Sequence, residues 1–190
     1  MTVDIRQADE SDISSLYEFY QHIGKKDQGY FETVFGKDCV VLIAELPQDV
    51  IPRLDRGISS TNVKDPAVKP QDDAAVIVGF GILNFEPKYS FYQKLEIPEI
   101  QDVNVLPEFR QQGIATALIE SFENLARDQG MEHIGISVGL TKKYGPAQRL
   151  YCKLGYIPDG NGITRDRESV FHDQMVHAND DLCLMLLKEL

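Results

Sequence analysis

The sequence predicts an α/β (α+β) fold, a mixed sheet with helices on both faces. Three observations predict it. The run "CVVLIAEL" at 39–46 is too apolar for a surface strand and suits an interior one. Two segments, near 13–23 and 111–129, carry apolar residues at helical spacing. Strands and helices interleave along the chain, an order that lays helices against a sheet. A chain of 190 residues is long enough for one domain with a proper core, and one domain over 1–190 is the expectation.

Val3 and Ile5 alternate with polar neighbours and begin the chain as a short strand. Asp9 can cap the helix whose stripe is Ile13, Leu16, Tyr17, Tyr20 and Ile23, with Gly24 at its end. A shorter helix covers Gly29 to Phe35, and the interior strand Cys39 to Leu46 follows. Residues 47–73 hold Pro47, Pro52, Pro66 and Pro70 among many charges, the mark of an exposed insertion. Ala74 to Phe85 returns as a strand, and Gly79 and Gly81 within it hint at a bulge or a close approach. Leu95 to Leu106 reads as a strand too. Leu95, Ile97, Val103 and Val105 share one parity and Ile100 has the other, so a bulge or an edge is expected there, with Pro98. A helix then runs from about Gln111 to Gln129, closed by Gly130. His133 to Leu140 is a strand, Pro146 to Gly155 a helix, and Leu182 to Leu190 the last strand, after a long connection over Asp159–Asp181.

Net charge is −11, with a pI near 4.7, which argues against a nucleic-acid surface and leans weakly toward a cationic amine as substrate. Cys39, Cys152 and Cys183 are far apart and form no zinc spacing, so reduced thiols in a cytoplasmic setting are expected. The N-terminal residues have no apolar secretory region, and no apolar run approaches membrane-spanning length. His22, His133, His172 and His177 make no ligand spacing, so no metal is expected.

The stretch "VNVLPEFRQQGIATALIESF" (103–122) carries the chemistry. A helix N-terminus presents unpaired N–H groups and the positive end of a dipole. Gly113 and Ala115 clear bulk from that end and Arg110 adds charge, which suits a phosphate held by backbone. A plain tight strand-to-helix turn fits the same residues. A Walker loop would need Gly-Lys-Ser/Thr and a dinucleotide fingerprint three spaced glycines, and neither is present.

A second segment narrows the choice. Arg110-Gln-Gln-Gly113-Ile-Ala115, then a strand, then Ala147-Gln-Arg-Leu150-Tyr151-Cys-Lys153-Leu-Gly155-Tyr156 resembles the GNAT superfamily of acyl-CoA-dependent N-acyltransferases. The likeness is strong from about Leu95 to Pro158, and "YGPAQRLYCKLGYIPDG" is similar to a bacterial-type subgroup. The resemblance implies a mostly antiparallel sheet whose central strands splay, and acetyl-CoA (coenzyme A) as cofactor. It implies a pyrophosphate on the N–H groups of Gln111, Gln112, Gly113, Ile114, Ala115 and Thr116, with Arg110 opening the motif. It implies main-chain pairing of the pantetheine arm with Val103, Asn104 and Val105. Tyr151 falls on the tyrosine that acts as general acid, and Glu99 on a strand position that often holds the base, with Glu96 and Asp102 as rivals. Where the family often has an asparagine on the cofactor, this chain has Tyr144, whose hydroxyl could replace that contact. Cys152, beside Tyr151, is expected to be a small core residue. Tyr30, Phe31, Phe85 and Tyr89 are candidate walls of the acceptor pocket, or equally core. The implied acceptor is an amine of a small molecule or peptide, with a homodimer possible and no nucleic-acid or membrane partner. A non-catalytic acyl-CoA-binding or protein-interaction module is the alternative.

Overall fold

A computed structural model describes residues 3–25, 29–47 and 75–190. Along the chain run β1 (Asp4–Gln7), α1 (Ile13–His22), α2 (Tyr30–Phe35), β2 (Cys39–Leu46), β3 (Val76–Asn84), α3 (Ser90–Lys94) and β4 (Glu99–Val105). Then come α4 (Ile114–Asp128), β5 (His133–Gly139), α5 (Gly145–Lys153), β6 (Ile157–Arg165), β7 (Glu168–Ser169) and β8 (Leu182–Glu189). The strands form one eight-stranded sheet in the order β1-β2-β3-β4-β5-β8-β6-β7. Among the described strands only the β4–β5 pair is parallel. The fold class is therefore as expected, mixed and mostly antiparallel. No described helix is long and apolar enough to cross a membrane.

Helices cover both faces because β3 alternates what it presents. The Phe80 ring packs on Phe19, Tyr20 and Phe31 of α1 and α2, at centroid distances of 5.3, 5.6 and 5.6 Å. Its neighbour Gly81 faces α4, where an added Cβ would fall 2.8 Å from Phe122 Cε2. Gly79 is nearly as tight, 3.1 Å from Ile114 Cγ2. The two glycines are thus a close approach: a Cβ at Gly81 would force Phe122 of α4 to shift, and one at Gly79 would press on Ile114. A second apolar cluster of Tyr89, Tyr92, Ile97 and Met185 sits under α3, and the Tyr92 ring fills the place of a side chain on Gly135.

Two irregularities in β4 open the sheet between its central strands. The first is a fork. β4 pairs with β5 at Glu99↔Gly135 and Ile100↔Ile136, with no further partners between them. Beyond that, β5 stays with β8 as far as Gly139↔Cys183, and β4 stays with β3 as far as Gly79↔Val105. The second is a bulge. Gln101 lies opposite Ile82 and Asn104 opposite Phe80, so Asp102 and Val103 together face Gly81. Asp102 has φ 50, and Asn104 Nδ2 donates to its carbonyl at 2.7 Å. This is the phase break visible in the sequence, and it is a bulge rather than an edge.

Several expectations change. The strand expected from Leu95 begins at Glu99, because Leu95 ends the short helix α3 and is exposed. The Asp159–Asp181 connection opens inside β6 and contains β7. β6 hid because its apolar content is sparse: Gly160 (φ +85) and Gly162 (φ +81) sit where its register with β8 shifts between Pro158 and Ile163. Cys152 is exposed rather than core, while Cys183 is buried and Cys39 half-buried. Phe31 and Tyr89 are buried in the two cores, so neither is a pocket wall. Asp9 caps a 3-10 turn at Glu10–Asp12, which then leads into α1. The insertion expected at 47–73 lies outside the described residues apart from Pro47.

Candidate functional site

The turn after β4 is built to leave amides bare. Pro107–Phe109 form one 3-10 turn, Gln111 is left-handed at φ 62, and Gly113 is left-handed at φ 87 just before α4. The first helical bond runs from Ala117 N–H to the Gly113 carbonyl at 2.9 Å. Among the described residues, the N–H groups from Gln111 to Thr116 have no acceptor. Successive free N–H groups at a left-handed turn make a concavity that suits an anion. A Cβ on Gly113 would meet nothing within 4 Å, so the space before the turn is open. The positive φ also requires glycine there, so a tight turn and an open anion site make the same demand of this position. Arg110 Nε donates to the Val105 carbonyl at 3.1 Å, which ties the turn to the end of β4. Ile114 is buried, and Ala115 and Thr116 are half-buried. Val103, Asn104 and Val105 lie on the β4 arm of the fork, where Asn104 and Val105 pair with β3 on one edge.

The other arm carries two tyrosines. α5 packs on β5 and buries Tyr151. Burial, helped by Tyr144, pushes the Tyr151 phenol up to about 12, so it keeps its proton at neutral pH. The Tyr144 ring lies against Gly139 at the end of β5, where an added Cβ would fall 2.3 Å from its Cδ2. Burial and then Asp180 raise the Tyr144 phenol too. Lys143 Nζ lies 5.3 Å from the Tyr144 ring centroid.

On the α1–α2 face, the apex of the fork holds a buried ion pair. Glu99 is fully enclosed; its Oε1 accepts from Arg167 Nη2 at 2.8 Å and its Oε2 from Gln101 Nε2 at 2.8 Å. The same Nη2 donates to Ser137 Oγ on β5 at 3.2 Å. Arg167 comes from the tip of the β6–β7 hairpin and so bridges both arms of the fork. Glu99 therefore has no exposed oxygen from which to take a proton directly. Glu96 lies out on the exposed turn before β4, at φ 53.

The bulge turns Asp102 to the same face. Its carboxylate accepts from Tyr20 Oη (2.8 Å), Tyr30 Oη (2.7 Å) and Lys25 Nζ (3.0 Å). Burial alone would raise this carboxyl, but Lys25 and the hydroxyls of Tyr30 and Tyr20 outweigh it and hold it below the usual range. Asp102 thus fastens α1 and α2 to β4. Between this cluster and Arg167 lie two adjoining cavities. One, of about 350 Å³, is lined by Tyr30, Thr33, Cys39, Ile82 and Gln101 among others. The next, of about 420 Å³, is lined by Lys37, Asn84, Glu86, Lys88, Gln101, Asp166 and Arg167, and the two share Lys37, Asn84 and Gln101.

The structure thus brings Val103–Val105, Arg110 and the amides of 111–116 to one arm of the fork, with Tyr144 and Tyr151 on the other. It adds Arg167, Gln101 and Ser137, which sequence reasoning missed. A signal for Arg167 was present: "ITRDRES" brackets Asp166-Arg167 as a two-residue turn. It lacks the Asn-Gly or Asp-Gly signature, because both turn residues are non-glycine at φ 51 and 66.

Comparison with known proteins bears on the family and the fold. The acetyltransferase (GNAT) family description matches residues 59–156, just over half of the chain. No curated protein matches the chain. Among solved structures, Arabidopsis thaliana NAA60 in complex with a bisubstrate analogue is similar, with a TM-score of 0.64 at 15% identity over 100% of this chain and 99% of that one. The same protein in complex with acetyl-CoA gives 0.64 at 16% identity, over 99% and 98%. The ribosomal-protein-S18-alanine N-acetyltransferase from Escherichia coli gives 0.62 at 14% identity, over 99% and 94%. At such identities the likeness is one of fold.

Proposed function

This chain belongs to the acetyltransferase (GNAT) family, and on that premise we propose that it transfers an acetyl group from acetyl-CoA to a primary amine of a small molecule or peptide, by direct attack in a ternary complex. Residues 1–190 are read as a single such domain. The observation that carries this is the fork itself, with a run of unpaired amides beside one arm and a protonated tyrosine on the other.

Acetyl-CoA, when bound, supplies an activated acyl thioester. The N–H groups of Gln111, Gln112, Gly113, Ile114, Ala115 and Thr116 hold its pyrophosphate, with Arg110 bracing the turn. The open space before Gly113 is the fit this requires. Val103, Asn104 and Val105 pair with the pantetheine arm by main chain, as an added strand would. Tyr144 lines the opposite arm. Tyr151 holds the proton that a departing thiolate needs, and burial keeps it in the acid form. Glu99 acts by fixing Arg167 at the apex, and the amine passes its proton to solvent in the adjoining cavities. The kinship with a bacterial-type subgroup rests on the 145–160 motif alone.

Thiol release from acetyl-CoA with a panel of amines tests the reading. Tyr151→Phe is expected to lower kcat about a hundredfold while leaving acetyl-CoA affinity as it was. Tight acetyl-CoA binding with no turnover on any amine would instead favour a non-catalytic acyl-CoA-binding module.

A further inference from the structure

We propose that the acceptor amine carries a carboxylate, and that Arg167 at the apex of the fork binds it, with Lys37 at the rim. The proposal rests on the acetyl-transfer reading above and names the substrate class of that same site. A free amino acid is the simplest molecule of this kind.

Arg167 occupies an unusual position. The β6–β7 hairpin turns on Asp166 (φ 51) and Arg167 (φ 66), both left-handed; aspartate enters that region readily, whereas arginine does so rarely. Backbone strain of this sort persists where surrounding contacts over-determine it. Here Asp166 is held by Lys88 at 2.7 Å and Arg167 by Glu99 at 2.8 Å. The turn therefore spends strain on delivering one guanidinium to the fork.

That guanidinium is only partly used. Nη2 serves both Glu99 and Ser137, and among the described residues Nε and Nη1 have no acceptor. Arg167 is half-buried and lines the cavity of about 420 Å³. Asn84 and Gln101 are half-buried lining residues as well, whereas Lys37, Glu86, Lys88 and Asp166 are exposed. Among the described lining residues Asp166 and Lys88 take each other, and Glu86 is the carboxylate left to oppose Lys37. Exposed charges are screened, so the half-buried arginine dominates what the cavity selects. Arg167 is itself paired with Glu99, so what the cavity offers a carboxylate is the guanidinium's remaining Nε and Nη1 donors rather than a surplus of positive charge.

Position completes the case. Arg167 bonds to Glu99 on β4 and Ser137 on β5, the residues at and just beyond the last β4–β5 pairs. A carboxylate gripped there places an amine on the adjacent carbon close to the apex, where β4 and β5 part. Arginine suits this task better than lysine, because its planar guanidinium matches a carboxylate.

The test compares free α-amino acids with their C-terminal amides as acceptors, in the presence of acetyl-CoA. The expected kcat/KM favours the acid over its amide by about tenfold or more, the size of one charge-assisted contact. Arg167→Lys keeps a cation against Glu99 and is expected to lower the acid more than the amide, so the ratio falls toward one. Lys37→Gln, at an exposed position, is expected to lower the acid by a smaller, salt-dependent factor. A wild-type ratio at or below one overturns the proposal while leaving acetyl transfer intact. So does an equal loss for acid and amide in Arg167→Lys, which would mark the arginine as purely structural. Bound acetyl-CoA with no amine acetylated sinks the acetyl-transfer reading, and this proposal with it.

Discussion

Replacing Arg167 by methionine isolates the ion pair at the fork. The guanidinium is Glu99's one cationic partner among the described residues, and Glu99 itself is 0% exposed. In Arg167→Met the carboxylate would stay enclosed with only the Gln101 amide, 2.8 Å away, to satisfy it. Breaking a buried pair by removing one partner costs about 3–5 kcal/mol. The Arg167 side chain is 23% exposed, so solvent already screens part of the interaction. A loss of about 2–3 kcal/mol is the resulting expectation. That is a large share of the roughly 5–15 kcal/mol that stabilises a domain. Urea unfolding followed by circular dichroism reads it directly. Glu99→Gln and the double variant complete a cycle, in which the double variant should lose less than the two singles added together, because no charge is then left unpaired. A loss below about 1 kcal/mol for Arg167→Met, or strict additivity, would refute the reasoning.

The tyrosines and the bulge carry two further predictions. Burial is the largest cause raising the phenols of Tyr20, Tyr30, Tyr92 and Tyr156, and it raises Tyr151 to about 12. The folded state therefore keeps protons that the unfolded chain releases near pH 10, so stability falls as pH rises above that value, by about 1.4 kcal/mol per pH unit for each such group. Phenolate absorbance should rise together with unfolding; phenolates forming near pH 10 in a fully folded protein would contradict this. Asp102→Asn keeps a side chain that tolerates the left-handed φ of 50 and removes the charge facing Lys25, Tyr20 and Tyr30. It should cost about 1–3 kcal/mol at neutral pH. Because the Asp102 carboxyl is held low, the gap from wild type should close only as pH falls below about 4. A gap unchanged at low pH would count against the cluster.

Much of this architecture is readable before any coordinates. α4 stands out because a long apolar stripe is bracketed by Gly113 and Gly130, both at positive φ. The glycines of β3 announce a close neighbour, and Phe122 is that neighbour. The parity break in β4 signals its bulge, although parity cannot say which two residues share one partner. Other parts are invisible for physical reasons. α3 spans only Ser90–Lys94, too short for helical periodicity, and Tyr92 is placed by a tertiary contact with Gly135. β6 has two apolar residues with glycines between them, and it exists because β8 offers it an edge. Arg167 meets Glu99 across 68 positions of sequence, a distance that no local pattern bridges. For the same reason the family resemblance could single out Glu99 as a carboxylate on β4 but could not show that its oxygens are occupied.

The most direct measurement is calorimetric titration of acetyl-CoA into the wild-type protein and into Gly113→Glu. The substitution puts a bulky carboxylate at φ 87, in space that is otherwise empty within 4 Å, beside the amides proposed to hold the pyrophosphate. Saturable binding to the wild type and its loss in the folded variant are the expected results. Equal affinity in the two would contradict a pyrophosphate held by these amides.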